Sequence, residues 1–231
     1  MARARQWARD ADWRVRRLAS EGLRPRLPWG ERIPAFVADP APVIAILDRL
    51  IDDPHANVRN SVANNLNDIA KDHPALAVAT AARWSASGDE SAVWIAKRGL
   101  RSLIKAGDPA ALKTCGFDPC ASCVITGFKL KPSRARIGGS IAFSFDLRLR
   151  AKTSARVAID YVLARPLAGG TSAEKVFKLA VKTMPPNRAV TFQARLALKQ
   201  LSTRRYYPGH YAITVVANGR RLARKAFTVS G

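Results

Sequence analysis

Carboxylates and tryptophans, rather than histidines, are the residues of this chain that are placed to do chemistry. The sequence lacks a Gly-rich phosphate loop, a GxSxG motif and an HExxH motif, and it contains only three histidines. Chemistry that depends on histidine, whether acid–base or metal-based, is therefore poorly supported. The remaining candidates lie in a strongly basic chain, and this charge favours a ligand of opposite charge.

The first candidate carboxylate, Asp68, lies on a helix predicted over 57–71. Apolar residues recur in this segment at helical spacing and leave a polar stripe on the other side, formed by Ser61, Asn64, Asn65 and Asp68. Asparagine and aspartate have low helix propensity, so their presence here needs a reason. Contact with a polar ligand on a concave surface is one reason, and a solvated helix face is the alternative.

Glu21 and Trp29 belong to the preceding repeat. Arg14, Arg17 and Glu21 share one helix face, and two prolines then end the helix and hold Trp29 in a stiff loop. An indole that seals the core between repeats is the alternative interpretation of Trp29. Because neighbouring helices pack about 8–10 Å apart, Glu21, Trp29 and Asp68 are able to converge on one ligand.

The charge of the chain points to a polyanionic partner. The formal net charge is +22, with 18 Lys and Arg against 14 Asp and Glu up to residue 119, and 21 against 3 from residue 120 onwards. A basic excess of this size attracts nucleic acid through counterion release. An anionic membrane is the competing partner, but no hydrophobic anchor accompanies the charge.

Helix pairs account for the first half of the chain. Helices are predicted over 40–52, 57–71, 74–86 and 91–105. The segments DADWRVRRLASEGL and DDPHANVRNSVANNL align at a period of about 43 residues, and GDESAVWIAKRGL follows about 35 residues later. Paired helices at such periods are typical of HEAT-like repeats. We therefore predict a HEAT-like helical repeat domain over 1–118.

Short alternating segments account for the second half. Strands are predicted at 123–130, 139–150, 155–163, 174–183, 189–198, 211–217 and 221–229. Asn218-Gly219 is a strong two-residue hairpin signal, and Tyr211 is placed to act as a corner tyrosine. The predicted fold class is thus α + β with two domains, a HEAT-like α-helical solenoid followed by an all-β immunoglobulin-like sandwich over 121–231.

Basic and amide side chains of the first half are candidates for contact with DNA. Lys97, Arg98 and Arg101 lie along one stripe of the third repeat, where phosphate contact and solvation are equally good explanations. Trp84 and Trp94 are expected to pack in the core. The full set of DNA-binding candidates is Arg14, Arg17, Arg24, Arg26, Arg59, Asn64, Asn65, Lys97, Arg98 and Arg101.

Metal or redox chemistry is not expected at the three cysteines, Cys115, Cys120 and Cys123, which lie where the predicted domains join. One CxxC pair without a nearby histidine does not supply the four ligands of a typical zinc site. Reduced side chains are the simpler interpretation. The sequence has no secretory signal and no run approaching the roughly 20 apolar residues of a membrane span, so a cytoplasmic, nucleoid-associated location is expected.

Three blocks of the sequence resemble the AlkC branch of the AlkC/AlkD DNA alkylation-repair glycosylases. They are RRLASEGLRPRLPW at 16–29, RNSVANNLNDIAKDHP at 59–74 and the weaker RGLRSLIKAGDP at 98–109. The β-rich half resembles the immunoglobulin-like C-terminal domain that some AlkC proteins carry. The family has several more helical repeats ahead of the first block, so this chain is expected to be N-terminally short relative to it.

The resemblance implies a monofunctional glycosylase that removes cationic alkylated bases, such as 3-methyladenine and 3-methylcytosine, from double-stranded DNA. It implies excision without base flipping and without any cofactor or metal. By position in the matching blocks, it places the catalytic acidic residue at Asp68 and supporting residues at Glu21 and Trp29. The chemistry suits them, because a carboxylate stabilises an oxocarbenium-like sugar and an indole attracts a cationic base. We expect a monomer.

Two other functions remain open at the level of sequence. One is a non-catalytic DNA-binding protein, or an inactive fragment of such a glycosylase; the other is a protein-binding HEAT scaffold with an accessory immunoglobulin-like module. The basic excess after residue 120 argues against the scaffold. Only Glu21, Trp29 and Asp68 separate the enzyme from the non-catalytic binder, and the presence of all three favours the enzyme.

Overall fold

Two compact units, one helical and one built of strands, follow each other along the chain. The computed structural model describes residues 1–201 and 205–231, and its units are Met1–Cys115 and Gly116–Gly231. The helical unit contains α1 (Ala2–Trp7), α2 (Trp13–Glu21), α3 (Pro34–Ala38), α4 (Ala41–Leu47), α5 (Ala56–Ile69), α6 (Pro74–Ser85), α7 (Glu90–Gly99), α8 (Arg101–Ala106) and α9 (Pro109–Thr114). The predicted order of a helical half and a β half is confirmed.

Aspartates begin several of these helices. The Asp12 carboxylate accepts a hydrogen bond from the Arg14 backbone N–H, and Asp89 accepts one from the N–H of Ala92. Such caps satisfy N–H groups that have no partner within the first turn of a helix. Asp12 and Asp89 therefore fix where α2 and α7 begin.

The last predicted helix, 91–105, is two helices in the structure. α7 ends at Gly99 and α8 begins at Arg101, because the backbone of Leu100 (φ −88°, ψ 7°) departs from α-helical geometry. Gly99 is needed where α7 meets α5, since a Cβ at this position would lie 2.7 Å from Leu66 Cδ2. Apolar residues continue at helical spacing through the break, so periodicity alone did not reveal it.

The two tryptophans expected in the helical core behave differently. Trp84 is buried, and its indole N–H donates to Asp48 Oδ1 at 2.7 Å. Trp94 is 42% exposed, with the Arg98 guanidinium 5.4 Å from its ring centroid. The prediction that Trp94 packs in the core is therefore wrong. Its neighbour Ile95 on α7 takes the buried position, and Trp94 faces outward.

Asp53 joins α2 to the start of α5. Its carboxylate accepts two hydrogen bonds from Arg16, at 2.5 and 3.1 Å, and one from the His55 backbone N–H at 2.8 Å. Burial alone would raise the pKa of Asp53, but the hydrogen bonds from Arg16 and His55 outweigh burial and lower it. The Arg16–Asp53 ion pair therefore makes a pH-dependent contribution to the stability of the helical unit.

The variant Asp53→Asn should lower the free energy of unfolding of the helical unit by about 2 kcal/mol at neutral pH, because Arg16 loses its carboxylate partner. All five tryptophans lie between residues 7 and 94, so denaturant titration followed by tryptophan fluorescence reports on this unit. A lowered folded-state pKa contributes stability above about pH 4, which is lost as the pH falls through that pKa. The parent and the variant should therefore converge in acid. A difference that does not change with pH would contradict this assignment.

The β unit folds into two sheets. Its strands are β1 (Ser122–Lys131), β2 (Arg134–Arg136), β3 (Ser140–Arg150), β4 (Ala155–Pro166), β5 (Ser172–Met184), β6 (Ala189–Ala197), β7 (Gly209–Ala217) and β8 (Arg220–Ser230). One sheet has the order β1-β3-β6 and the other β2-β8-β7-β4-β5. All neighbours pair antiparallel except β2 and β8. This is the arrangement of an immunoglobulin-like sandwich.

The seven predicted strands correspond to seven of these strands, and only β2 was missed. With three residues, β2 is too short to show an alternating pattern. The hairpin at Asn218-Gly219 is confirmed, since both residues have positive φ, 46° and 77°, as a two-residue type I′ turn requires. Alternate residues of β3 fill the core, namely Ile141, Phe143, Phe145, Leu147 and Leu149.

Tyr211 ties the start of β7 to the chain before it. Its hydroxyl donates to the carbonyl of Tyr207 at 2.7 Å and accepts from the Tyr207 N–H at 3.1 Å, while its ring is 2% exposed. A hydroxyl bound to backbone a few residues upstream is the corner that the sequence predicted.

In the residues that the structure describes, no helix is long and apolar enough to cross a membrane.

The variant Tyr211→Phe should destabilise the β unit by about 1–2 kcal/mol, because two partly buried backbone groups of Tyr207 lose their partner. Differential scanning calorimetry should show a lower melting temperature for the β unit only. The matched control is Tyr207→Phe, which keeps the backbone groups that make this contact. Equal destabilisation by both variants would mean that the corner hydrogen bonds are not the cause.

Candidate functional site

Arg24 joins the two candidate carboxylates. It follows the C-terminal end of α2, and its Nε donates to Asp68 Oδ2 at 2.7 Å while its Nη1 donates to Glu21 Oε1 at 2.6 Å. Asp68 lies near the C-terminal end of α5, which packs beside α2. The structure therefore brings Glu21 and Asp68 together, as predicted, through a guanidinium that the sequence had assigned to DNA.

The three charged groups of this bridge differ in exposure. The side chains of Asp68, Arg24 and Glu21 are 2%, 9% and 24% exposed. Burial would lower the pKa of Arg24, but its hydrogen bonds to Glu21 and Asp68 outweigh burial and raise it. The second oxygen of Asp68 accepts from Lys71 Nζ at 2.9 Å, and that lysine side chain is 44% exposed. Lys71 is thus the solvent-facing cation on the Asp68 carboxylate.

The polar stripe of α5 is mostly buried against α2. Ser61 Oγ lies 2.9 Å from Glu21 Oε2, and Asn65 Nδ2 donates to the Ser20 carbonyl at 2.8 Å. Ser61 and Asn65 are 1% and 0% exposed. The alternative of a solvated helix face is therefore wrong for Ser61 and Asn65, since these side chains bind the neighbouring helix. Asn65 Oδ1 is the one buried side-chain polar atom without a hydrogen bond among the described residues.

A polar groove of about 260 Å³ runs along α2 and α5 beside the Arg24 bridge. The ring of Trp13 stacks on His55 with centroids 3.8 Å apart, and the Arg14 guanidinium lies 5.0 Å from the Trp13 ring centroid. Sequence reasoning missed Trp13, although its spacing of four residues from Arg17 was a signal. The groove is lined by Trp13, Arg17, Glu21, Asn57, Asn60, Ser61 and Asn64.

Trp29 stands on a loop between α2 and α3 and is 102% exposed. An antiparallel bridge between Arg26 and Arg32 closes the loop. Arg26 also binds Asp72, with Nε 2.7 Å from Oδ2 and Nη2 2.5 Å from Oδ1. The alternative that Trp29 seals the core between repeats is wrong, because its ring has no cover.

The predicted DNA-binding residues fall into two groups. Arg14, Arg17 and Arg98 are exposed, and Asn64, Lys97 and Arg101 are partly exposed. Burial, followed by the charge of Arg98, lowers the pKa of Arg101. The others bind within the protein, since Arg59 Nη1 donates to the carbonyls of Asp53 and Pro54. The residues engaged in this way, which would have to break these contacts to reach DNA, are Arg24, Arg26, Arg59 and Asn65.

The outer surface of the β1-β3-β6 sheet is basic, and we call it the basic face. Register places Lys129 beside Ser144 and Gln193, and Lys131 beside Ala142 and Arg195, around a groove of about 480 Å³. Arg148 and Arg150 continue the same side of β3, and Asp146 is the only acidic residue of these three strands. The cations of the basic face are Lys129, Lys131, Arg148, Arg150 and Arg195.

No three His, Cys, Asp or Glu side chains gather as a metal-binding group within 1–201 and 205–231. The side chains of Cys115, Cys120 and Cys123 are not joined by disulfides, and they are buried, exposed and partly exposed respectively. Burial raises the pKa of the Cys123 thiol. The candidate chemistry of the described residues therefore rests on the carboxylates, the guanidinium groups and the indoles.

Comparison with known proteins identifies relatives of this chain in sequence and in structure. Residues 124–231 match the family described as the C-terminal immunoglobulin-like domain of the uncharacterised protein YhaZ. YhaZ of Bacillus subtilis (strain 168) is 40% identical over 215 residues, which are 92% of this chain and 59% of the B. subtilis protein. The chain therefore spans less than two thirds of that relative.

A solved structure matches both units. It is the Pseudomonas fluorescens alkylpurine DNA glycosylase AlkC, bound to DNA containing an abasic site analog, with a TM-score of 0.92 and 36% sequence identity. The match covers 100% of this chain and 64% of the Pseudomonas chain. The chain is therefore similar in sequence to YhaZ, its residues 124–231 match a C-terminal immunoglobulin-like domain, and it is similar in structure to AlkC over its whole length.

Proposed function

We propose that this chain is a DNA repair glycosylase that excises cationic N-alkylated bases, of the 3-methyladenine and 3-methylcytosine type, without base flipping. The observation that carries the proposal is the Glu21–Arg24–Asp68 bridge, together with the exposed Trp29 on the loop that also carries Arg24. The structural likeness to AlkC supports it, because these residues lie within the matched chain. Double-stranded DNA is the proposed partner.

The carboxylates supply the electrostatic part of the proposed mechanism. An N-alkylated base already carries positive charge, so its loss requires little protonation and leaves an oxocarbenium-like sugar. A carboxylate held beside that sugar stabilises its charge and orients the attacking water. In the free protein, Lys71 occupies Asp68 Oδ1 from the solvent side. A cationic nucleotide that displaces Lys71 makes contact with Asp68 Oδ1, while Arg24 stays hydrogen-bonded to Asp68 Oδ2.

Trp29 supplies an aromatic surface for the damaged base. An indole attracts a cation over its face by up to about 2 kcal/mol when water is excluded. About 1.4 kcal/mol corresponds to a tenfold change in rate, so stacking alone accounts for a modest acceleration. Asp68 therefore carries the larger share of the proposed catalysis.

The variant Asp68→Asn should lower the single-turnover rate of 3-methyladenine release from methylated duplex DNA by at least about a hundredfold, because the sugar cation loses its carboxylate. The dissociation constant for undamaged duplex DNA should change by less than about threefold, since Asp68 is proposed to act on the charge of the damaged nucleotide. Asp52→Asn, which removes an exposed carboxylate from the same unit, is the matched control and should behave like the parent. Tryptophan fluorescence checks that each variant is folded.

The same assay separates the enzyme from its alternative. A parent protein that binds duplex DNA tightly but releases no base from it is a non-catalytic DNA-binding protein. In that case the Glu21–Arg24–Asp68 bridge is a structural ion pair, and Asp68→Asn changes stability alone. Base release by the parent with an unaffected Asp68→Asn variant would instead place the catalytic carboxylate elsewhere.

DNA binding by the β unit is proposed to use the basic face. Replacement of Lys129, Lys131 and Arg195 by glutamine should weaken DNA binding. The slope of log affinity against log salt should fall by up to about 0.9 for each phosphate contact that is lost. The matched control replaces Lys175, Lys178 and Lys182 of β5, with the same loss of charge. Equal effects of the two triple variants would show that only net charge matters.

A further inference from the structure

The loop that carries Trp29 is attached to the helical unit by two ion pairs. Arg24 and Arg26 are two residues apart in the loop, and they bind Asp68 and Asp72, which are four residues apart at and beyond the end of α5. Both pairs join the same two segments of chain, so the loop is held to the end of α5 at two successive points.

The outer pair, Arg26–Asp72, has the geometry of a fixed contact. Two guanidinium nitrogens face two carboxylate oxygens at 2.7 and 2.5 Å, an arrangement that fixes orientation as well as distance. The two side chains are 25% and 19% exposed. The hydrogen bond from Arg26 lowers the pKa of Asp72, so the carboxylate is charged at neutral pH.

Trp29 depends on the backbone of its loop for its position. Its ring is 102% exposed, so packing does not hold it. The Arg26–Arg32 bridge and the hydrogen bonds from Gly30 N–H to Leu27 and from Ile33 N–H to Pro25 keep the loop closed. These contacts define the shape of the loop, but they do not fix the loop to α5. Arg26 belongs both to the bridge and to the ion pair with Asp72.

We propose that Arg26 and Asp72 are positioning residues: their ion pair sets where the loop presents the Trp29 indole to the damaged base, and thereby sets the rate of base release. This inference rests on the proposed glycosylase function, since it assigns Trp29 the damaged base. It replaces the sequence-based interpretation of Arg26 as a DNA contact, because two of its donors are committed to Asp72. Neither Arg26 nor Asp72 has to touch the nucleotide.

The test compares Arg26→Gln, Asp72→Asn, Arg26→Asp, Asp72→Arg and the charge-swapped double variant. Each single variant should lower the single-turnover rate of base release by about tenfold, since a displacement of about 1 Å can cost up to a hundredfold. DNA affinity should change by less than about threefold. The charge-swapped variant should recover to within about threefold of the parent, because an ion pair of reversed polarity restores the coupling. Arg26→Lys, which keeps the charge but not the fork, should lie between parent and Arg26→Gln.

A second readout follows Trp29 without DNA. Protein labelled with 5-fluorotryptophan gives a fluorine NMR signal for Trp29 that is assigned by its loss in Trp29→Phe. Arg26→Gln and Asp72→Asn should shift and sharpen this signal, and the charge swap should restore it. Arg83→Gln, which removes an exposed ion pair to Asp48 elsewhere in the helical unit, is the control and should leave the signal unchanged.

The outcomes are distinguishable. If Asp72→Asn leaves base release and the Trp29 signal unchanged while Arg26→Gln weakens DNA binding, Arg26 is a phosphate contact and the positioning role is overturned. If the parent releases no base, the proposed function fails, and the fluorine signal alone decides whether the pair positions Trp29. If Arg26→Gln unfolds, Arg26→Lys and the charge swap supply the same comparison.

Discussion

The guanidinium group of Arg24, shared by two carboxylates, is the contact on which the candidate site depends. It lies between Glu21 at the end of α2 and Asp68 near the end of α5, and only 9% of its side chain reaches solvent. A buried charge that loses its partner is costly, typically about 3–5 kcal/mol. Both carboxylates and the start of the Trp29 loop are therefore held in one arrangement.

The two units use charge in different ways. In the helical unit, aspartates such as Asp53, Asp68 and Asp72 neutralise arginines from neighbouring segments and fix one segment to the next. In the β unit, four acidic residues accompany a large excess of lysine and arginine, and the basic face contains one of the four. These ion pairs of the helical unit serve its internal order, whereas the β unit carries an excess of cations that attracts a polyanion.

The candidate site was partly predictable because some of its signals are local. Prolines around Trp29 indicated a stiff loop, and the loop does present the ring to solvent. The prediction that Trp94 packs in the core was wrong, because helical spacing alone does not show whether Trp94 or its neighbour Ile95 faces the core. Asn65 was assigned to DNA for its polarity, but it hydrogen-bonds to the Ser20 carbonyl of the adjacent helix. A polar residue with low helix propensity can serve a neighbouring helix as well as a ligand.

The sequence by itself determined the order of the two halves, seven of the eight strands of the described residues, the Asn218-Gly219 hairpin and the distribution of charge. These features follow from patterns within a few residues, where side-chain period and turn chemistry act directly. The tertiary structure alone decided that Arg24 and Arg26 bind Asp68 and Asp72 rather than solvent or phosphate. These partners are 44 and 46 residues apart, and only the packing of α2 and its loop against α5 brings them within hydrogen-bonding distance.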